Sequence, residues 1–136
     1  MYLLDTNVLS AVRKLSRFPR LAEWLDSIDT DSMWLSTITM GEVERGIDRL
    51  RGHDPIQAVH LTAWRDAILE QHAARILPVT TEIAQRWGVL SNRIGHPSAD
   101  LLIAATALEH GLTVVTRNVK DLMPTGAALV NPIDGA

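Results

Sequence analysis

Short apolar runs alternate with amphipathic stretches along the whole chain, and this alternation restricts the fold more than any other feature. Tyr2-Leu3-Leu4 is one such run; it stops at Asp5-Thr6-Asn7, after which Val8, Leu9, Val12 and Leu15 recur at helical spacing. Pro19 interrupts, and Leu21, Trp24, Leu25 and Ile28 predict a further short helix. Met33-Trp34-Leu35-Ser36 reads as a second strand, and Thr39-x-x-Glu42 has the spacing of a capping box opening a helix through Val43, Ile47 and Leu50. Asp54-Pro55 supplies an N-cap and first-turn proline for a long helix carrying Ile56, Val59, Trp64, Ile68 and Leu69. Ile76-Leu77-Pro78-Val79 reads as an edge strand because a proline cannot donate to a ladder. Thr80 or Thr81 starts a helix that ends near Gly95, and Ser98 caps another running from Ala99 to Gly111. Thr113-Val114-Val115-Thr116 is the clearest strand, and Leu129-Val130-Asn131 a weak last one. Strands separated by helices predict an α/β fold, with a short parallel sheet flanked by helices on both faces.

At 136 residues the chain fits a single domain spanning 1–136. No apolar run approaches the roughly 18 residues of a membrane span. The first residues meet an acid at Asp5 and carry no basic stretch, so no signal peptide is expected. The chain contains no cysteine, which excludes disulfide scaffolds and zinc–thiolate sites and agrees with a cytoplasmic address. Net charge is −3, on its face unfavourable to a nucleic-acid partner. The cations are nonetheless clustered: Arg13, Lys14, Arg17 and Arg20 in one stretch, Arg45, Arg49 and Arg51 in another. Each stretch alone also reads as a solvated helix face.

Four acids occupy unusual places. Asp5 ends the first strand, Glu42 lies in the first turn after the second, Asp100 opens the helix before Val114-Val115, and Asp121 follows that strand. In an open parallel sheet, ligands bind at the carboxyl ends of the strands. Carboxylates gathered there repel one another unless a cation joins them, and oxygen-only donors suit a hard ion such as Mg²⁺ or Mn²⁺. Each acid has a plainer reading: Glu42 and Asp100 as first-turn acids of helices, Asp121 as a turn residue. Asp5 is the hardest to explain structurally. The five histidines are scattered; His53, His60 and His72 read as surface residues rather than ligands, and His96, in a loop near Asp100, is the one that could meet a substrate. Phosphatases and phosphoacceptor switches also place Asp at strand ends, but the former want Asp-x-Asp where this chain has Asp5-Thr6-Asn7.

Four segments together resemble the PIN-domain ribonucleases of the VapC/FitB toxin type. They are Leu3-Leu4-Asp5-Thr6-Asn7-Val8-Leu9, Ser36 through Gly46 with Glu42 in place, Ala99-Asp100-Leu101-Leu102-Ile103-Ala104-Ala105, and Val114 through Leu122. They follow the family's order over nearly the whole length. The resemblance implies a compact α/β/α PIN-domain fold with an acidic pocket for Mg²⁺ or Mn²⁺. It also implies hydrolysis of RNA phosphodiesters by a homodimeric toxin silenced by a cognate protein antitoxin. Asp5, Glu42 and Asp100 carry over as catalytic and metal-binding acids. Many relatives have an acid where Asn118 stands, which leaves Asp121 as the expected fourth catalytic and metal-binding acid, with Asn118 able to hold a metal-bound water or a substrate phosphate through its amide; which of the two contacts metal stays open. Thr6, Asn7, Ser36, Thr116, Arg117 and Asn118 are expected to orient the acids or meet the substrate, and Arg13, Lys14, Arg17 or Arg117 to bind phosphates. A non-cleaving RNA-binding protein on the same fold is the alternative.

Overall fold

A computed structural model describes residues 1–134. Five parallel strands, β1 (Tyr2–Leu4), β2 (Met33–Ser36), β3 (Ile76–Leu77), β4 (Thr113–Val115) and β5 (Ala128–Val130), form one sheet in the order β3-β2-β1-β4-β5. Around it lie α1 (Thr6–Val12), α2 (Pro19–Asp26), α3 (Thr37–Arg51), α4 (Pro55–His72), α5 (Thr81–Ile94), α6 (Ala99–His110) and the short α7 (Val119–Leu122). The expected α/β/α architecture is present, and the proline-limited run is an edge strand that stops at Leu77, before Pro78. No helix of the described residues is long and apolar enough to cross a membrane.

Alternation along the strands divides the core in two. Leu4, Leu35 and Val115 face one side and bury against Val8, Leu9, Leu21, Val43, Ile47 and Ile68 from α1 to α4. Leu3 and Val114, with Trp34 and Leu129 in register beside them, face the other side against Leu101, Ile103, Ala104 and Leu122. A one-residue slip in any strand would exchange the two sets, so the register is strongly specified. Each fully buried Leu or Ile contributes about 1.5–3 kcal/mol relative to exposure.

The helix ends follow local chemistry. Asp54 Oδ1 accepts from Gln57 N at 3.2 Å and Thr80 Oγ1 from Ile83 N at 3.2 Å, so α4 and α5 start where their caps predict. Gly95 and Gly111 close α5 and α6 with φ of 105° and 65°, a region costly to any residue with a Cβ. Two expectations are corrected. The helix after Asp5 ends at Val12, and Leu15–Arg17 is a separate 3₁₀ turn. Helix α3 begins three residues earlier than the Thr39–Glu42 capping box required, because Ser36 Oγ accepts from Ile38 N at 3.1 Å and caps it first. Ser98 does precede α6, but its hydroxyl makes no cap bond.

Candidate active site

Strand register assembles the site. Since Leu4 lies beside Val115, the next positions, Asp5 and Thr116, are neighbours at the carboxyl edge; Asp5 N donates to Val115 O at 3.1 Å. Leu3 pairs with Trp34, so Ser36 stands at the same level on the other side of Asp5. The strand order reverses at β1, between chain going out to β2 and β3 and chain returning through β4 and β5. Such a reversal leaves a crevice beyond the strand ends.

Asp5 is 2% exposed and serves as N-cap of α1, its Oδ1 accepting from Val8 N at 2.8 Å. Burial pushes its carboxyl above the ordinary range, while the Thr116 hydroxyl and the Val8 N–H act in the opposite direction. The negative charges of Asp100 and Glu42 add to the rise, which places both acids close enough to be felt. Glu42 sits in the second turn of α3, not the first. There Thr6 Oγ1 donates to its Oε1 at 2.5 Å, and Arg45 approaches Oε2 at 3.6 Å. Asp100 lies in the first turn of α6 and accepts from Asn118 Nδ2 at 3.4 Å. The Thr116 hydroxyl accepts from Asn118 N at 2.9 Å, which ties the end of β4 to that amide.

Three of the four acids therefore gather around one strand end, carried by α1, α3 and α6. Asp121 lies one helical turn past Asn118, in α7, with an exposed side chain, and no hydrogen bond or ion pair of the described residues joins it to the other three. Asn118 is the residue of that segment that reaches Asp100. Ser36 is used as a helix cap, and His96 stays exposed in its loop. A wholly buried residue that sequence reasoning took for a capping group, Thr39, stands with its hydroxyl 3.4 Å from that of Thr6. Its position three residues before Glu42, on the same helix face, was the available signal.

Carboxylate, amide and hydroxyl oxygens, one of the carboxylates buried among like charges, suit a hard divalent ion. Among the described residues no three acidic or histidine side chains converge tightly enough to chelate one ion together. Glu42 and Asp100 are instead engaged by Thr6 with Arg45 and by Asn118. This donor set fits an ion such as Mg²⁺ that keeps several of its waters.

The cations divide around α1. Lys14, Arg17 and Arg117 line an open cleft of about 610 Å³ with Asn7, Ser10 and Asn118. Arg13 turns the other way and lies over the Trp64 ring, 5.2 Å from its centroid, beside a smaller cleft that contains Thr6 and Glu42. Arg51 pairs with Asp48, as expected of a solvated helix face. Phe18, beneath Arg117 at 5.9 Å, and Asp134, which binds it, were not anticipated from the sequence.

The PIN domain family model matches residues 2–120. Toxin FitB of Neisseria gonorrhoeae is 34% identical over 137 residues, covering 97% of this chain and 98% of its own length. The VapC ribonuclease Y4jK of Sinorhizobium fredii is 28% identical over the full length of both proteins. The solved structure of FitAB bound to an IR36 DNA fragment superposes with a TM-score of 0.84 at 33% identity, covering 97% of this chain and 95% of that one. A family match over most of the length, on a fold that brings Asp5, Glu42 and Asp100 to one strand edge, means that this chain belongs to the PIN-domain family.

Proposed function

We propose that the protein is a metal-dependent endoribonuclease, the toxin of a toxin–antitoxin module, that hydrolyses RNA phosphodiester bonds at the Asp5 edge of the sheet. The observation that carries this reading is the burial of Asp5 beside two further carboxylates, an arrangement that disfavours its own charge and is relieved by a bound cation. Asp5, Glu42 and Asp100 are the metal-holding residues, with Asn118 in preference to Asp121 as the fourth, since Asn118 alone of the two contacts Asp100. A bound Mg²⁺ or Mn²⁺ supplies charge neutralisation at the phosphoryl oxygens and an activated water. Thr6 holds Glu42 in place, Thr116 holds the Asp5 carboxylate, and Asn118 holds Asp100; these contacts limit the motion of the three acids before substrate arrives. Lys14, Arg17 and Arg117 line the approach for a single-stranded RNA, so that the local field opposes the net charge of −3.

The gonococcal relative is named a toxin. A cell that carries a toxin must neutralise it, and the cognate antitoxin is read here as a protein that lays an apolar segment on this chain and directs a basic side chain at the acids. Ile56 and Val59 on α4, 71% and 68% exposed, provide apolar surface for such a segment or for a homodimer. A cytoplasmic location follows from the substrate.

Incubating total cellular RNA with purified protein tests the reading. Discrete fragments are expected with Mg²⁺, and none with EDTA or with Asp5→Asn or Asp100→Asn. Intact RNA in every lane, with RNA still bound, would transfer the reading to a non-cleaving RNA-binding PIN protein.

A further inference from the structure

We infer that the Asp134 carboxylate is an internal stand-in for a nucleic-acid phosphate, held on Arg117 in the basic cleft and displaced when RNA enters. The inference rests on the reading of the protein as an RNA-cleaving enzyme and concerns how its cleft is kept between substrates.

Arg117 presents Nη2 to Asp134 Oδ1 at 3.1 Å and Nε to Oδ2 at 3.4 Å. This two-point, side-on contact is the geometry a guanidinium offers to two oxygens of a phosphodiester. The Phe18 ring fixes the guanidinium from one face. The carboxylate is delivered by a turn after β5. Asn131 Oδ1 accepts from the backbone N–H groups of Ile133 and Asp134 at 3.1 and 3.2 Å, and Asn131 Nδ2 donates to Asp134 Oδ2 at 3.0 Å. Arg20 Nη1 donates to the Asp134 carbonyl at 2.8 Å and anchors the turn to α2.

The surroundings favour an anion larger than one carboxylate. Lys14 and Arg17 line the same cleft, and among the described residues neither takes part in an ion pair. The cleft continues to the acids: Asn7 and Ser10 sit on the helix that Asp5 caps, and Asn118 contacts Asp100. A phosphate on Arg117 would therefore belong to a strand that passes the Asp5 edge. The side chains of Arg117 and Asp134 are 48% and 55% exposed, and an exposed pair of this kind is weak and screened by salt. It can orient Arg117 in the free protein and still yield to a phosphate that Lys14 and Arg17 also attract.

Binding of a non-cleavable 2′-O-methyl oligoribonucleotide at low salt tests this. Asp134→Asn is expected to tighten binding by about 1.5- to 5-fold. Its salt dependence should steepen by about 0.7 in log–log slope, one more cation being free to release a counterion. Asp134→Ala should behave alike, Glu82→Gln on α5 should not, and in an Arg117→Ala background Asp134→Asn should change nothing. Unchanged or weaker binding by Asp134→Asn overturns the inference, as does an equal gain in the Arg117→Ala background, which would show a mere effect of net charge. If the wild type cleaves RNA and Asp134→Asn binds no better, this inference fails alone. If the wild type neither cleaves nor binds RNA, the proposed function fails with it.

Discussion

Asp5 combines a structural duty with the functional one proposed for it, and the two conflict. Its Oδ1 caps α1 through Val8 N, yet its charge is buried beside Asp100 and Glu42. The folded protein holds the Asp5 proton to a higher pH than the unfolded chain, which releases it near the ordinary 3.8. Between those two values the folded state binds more protons, so stability declines as pH rises and stays at the lower level above the folded pKa. Asp5→Asn retains the capping acceptor and removes the charge. In metal-free buffer at pH 7 it should therefore melt above the wild type. Its melting temperature should also lose the decline expected of the wild type as pH rises above 3.8. A lower melting temperature for Asp5→Asn would mean that the carboxylate is stabilised in place without a cation, which would contradict a role in holding one.

At the scale of elements, glycines separate backbone need from packing. Gly111 ends α6 at φ 65°, where a Cβ is strained whatever space surrounds it, so Gly111→Ala should cost about 1 kcal/mol. Gly41 is exposed within α3, and a Cβ built there meets nothing within 4 Å, so Gly41→Ala should stabilise by about 0.5–1 kcal/mol. Urea denaturation of both variants checks the opposite signs; destabilisation by Gly41→Ala would contradict the packing described. The same elements show how far the sequence could be read. Hydrophobic alternation, the Asp54-Pro55 start and the glycine ends located strands and helices, because these signals act within a few residues. The start of α3 was misread since both Ser36 and Thr39 are competent caps, and only the strand end decides which is used. Glu42 thereby moved into the second turn, where Thr6, 36 positions away in sequence, could reach it. The hold of Asn118 on Asp100 and of Asp134 on Arg117 was hidden for the same reason: both pairs are made by the fold, not by spacing.

On the scale of the whole molecule, charge is segregated rather than balanced. A chain of net charge −3 places three cations along one open cleft and gathers three acids at the strand edge to which that cleft leads. Parallel strands meeting at a reversal in their order create that edge, so the fold and the site have one cause. This gathering of acids is proposed to hold a divalent ion. Calorimetric titration of Mn²⁺ into the purified wild type and Asp5→Asn tests it without relying on any RNA. Saturable binding by the wild type, weakened at least 10-fold in a folded Asp5→Asn, is the result predicted. Equal binding by both proteins, or none by the wild type at millimolar Mn²⁺, would contradict it.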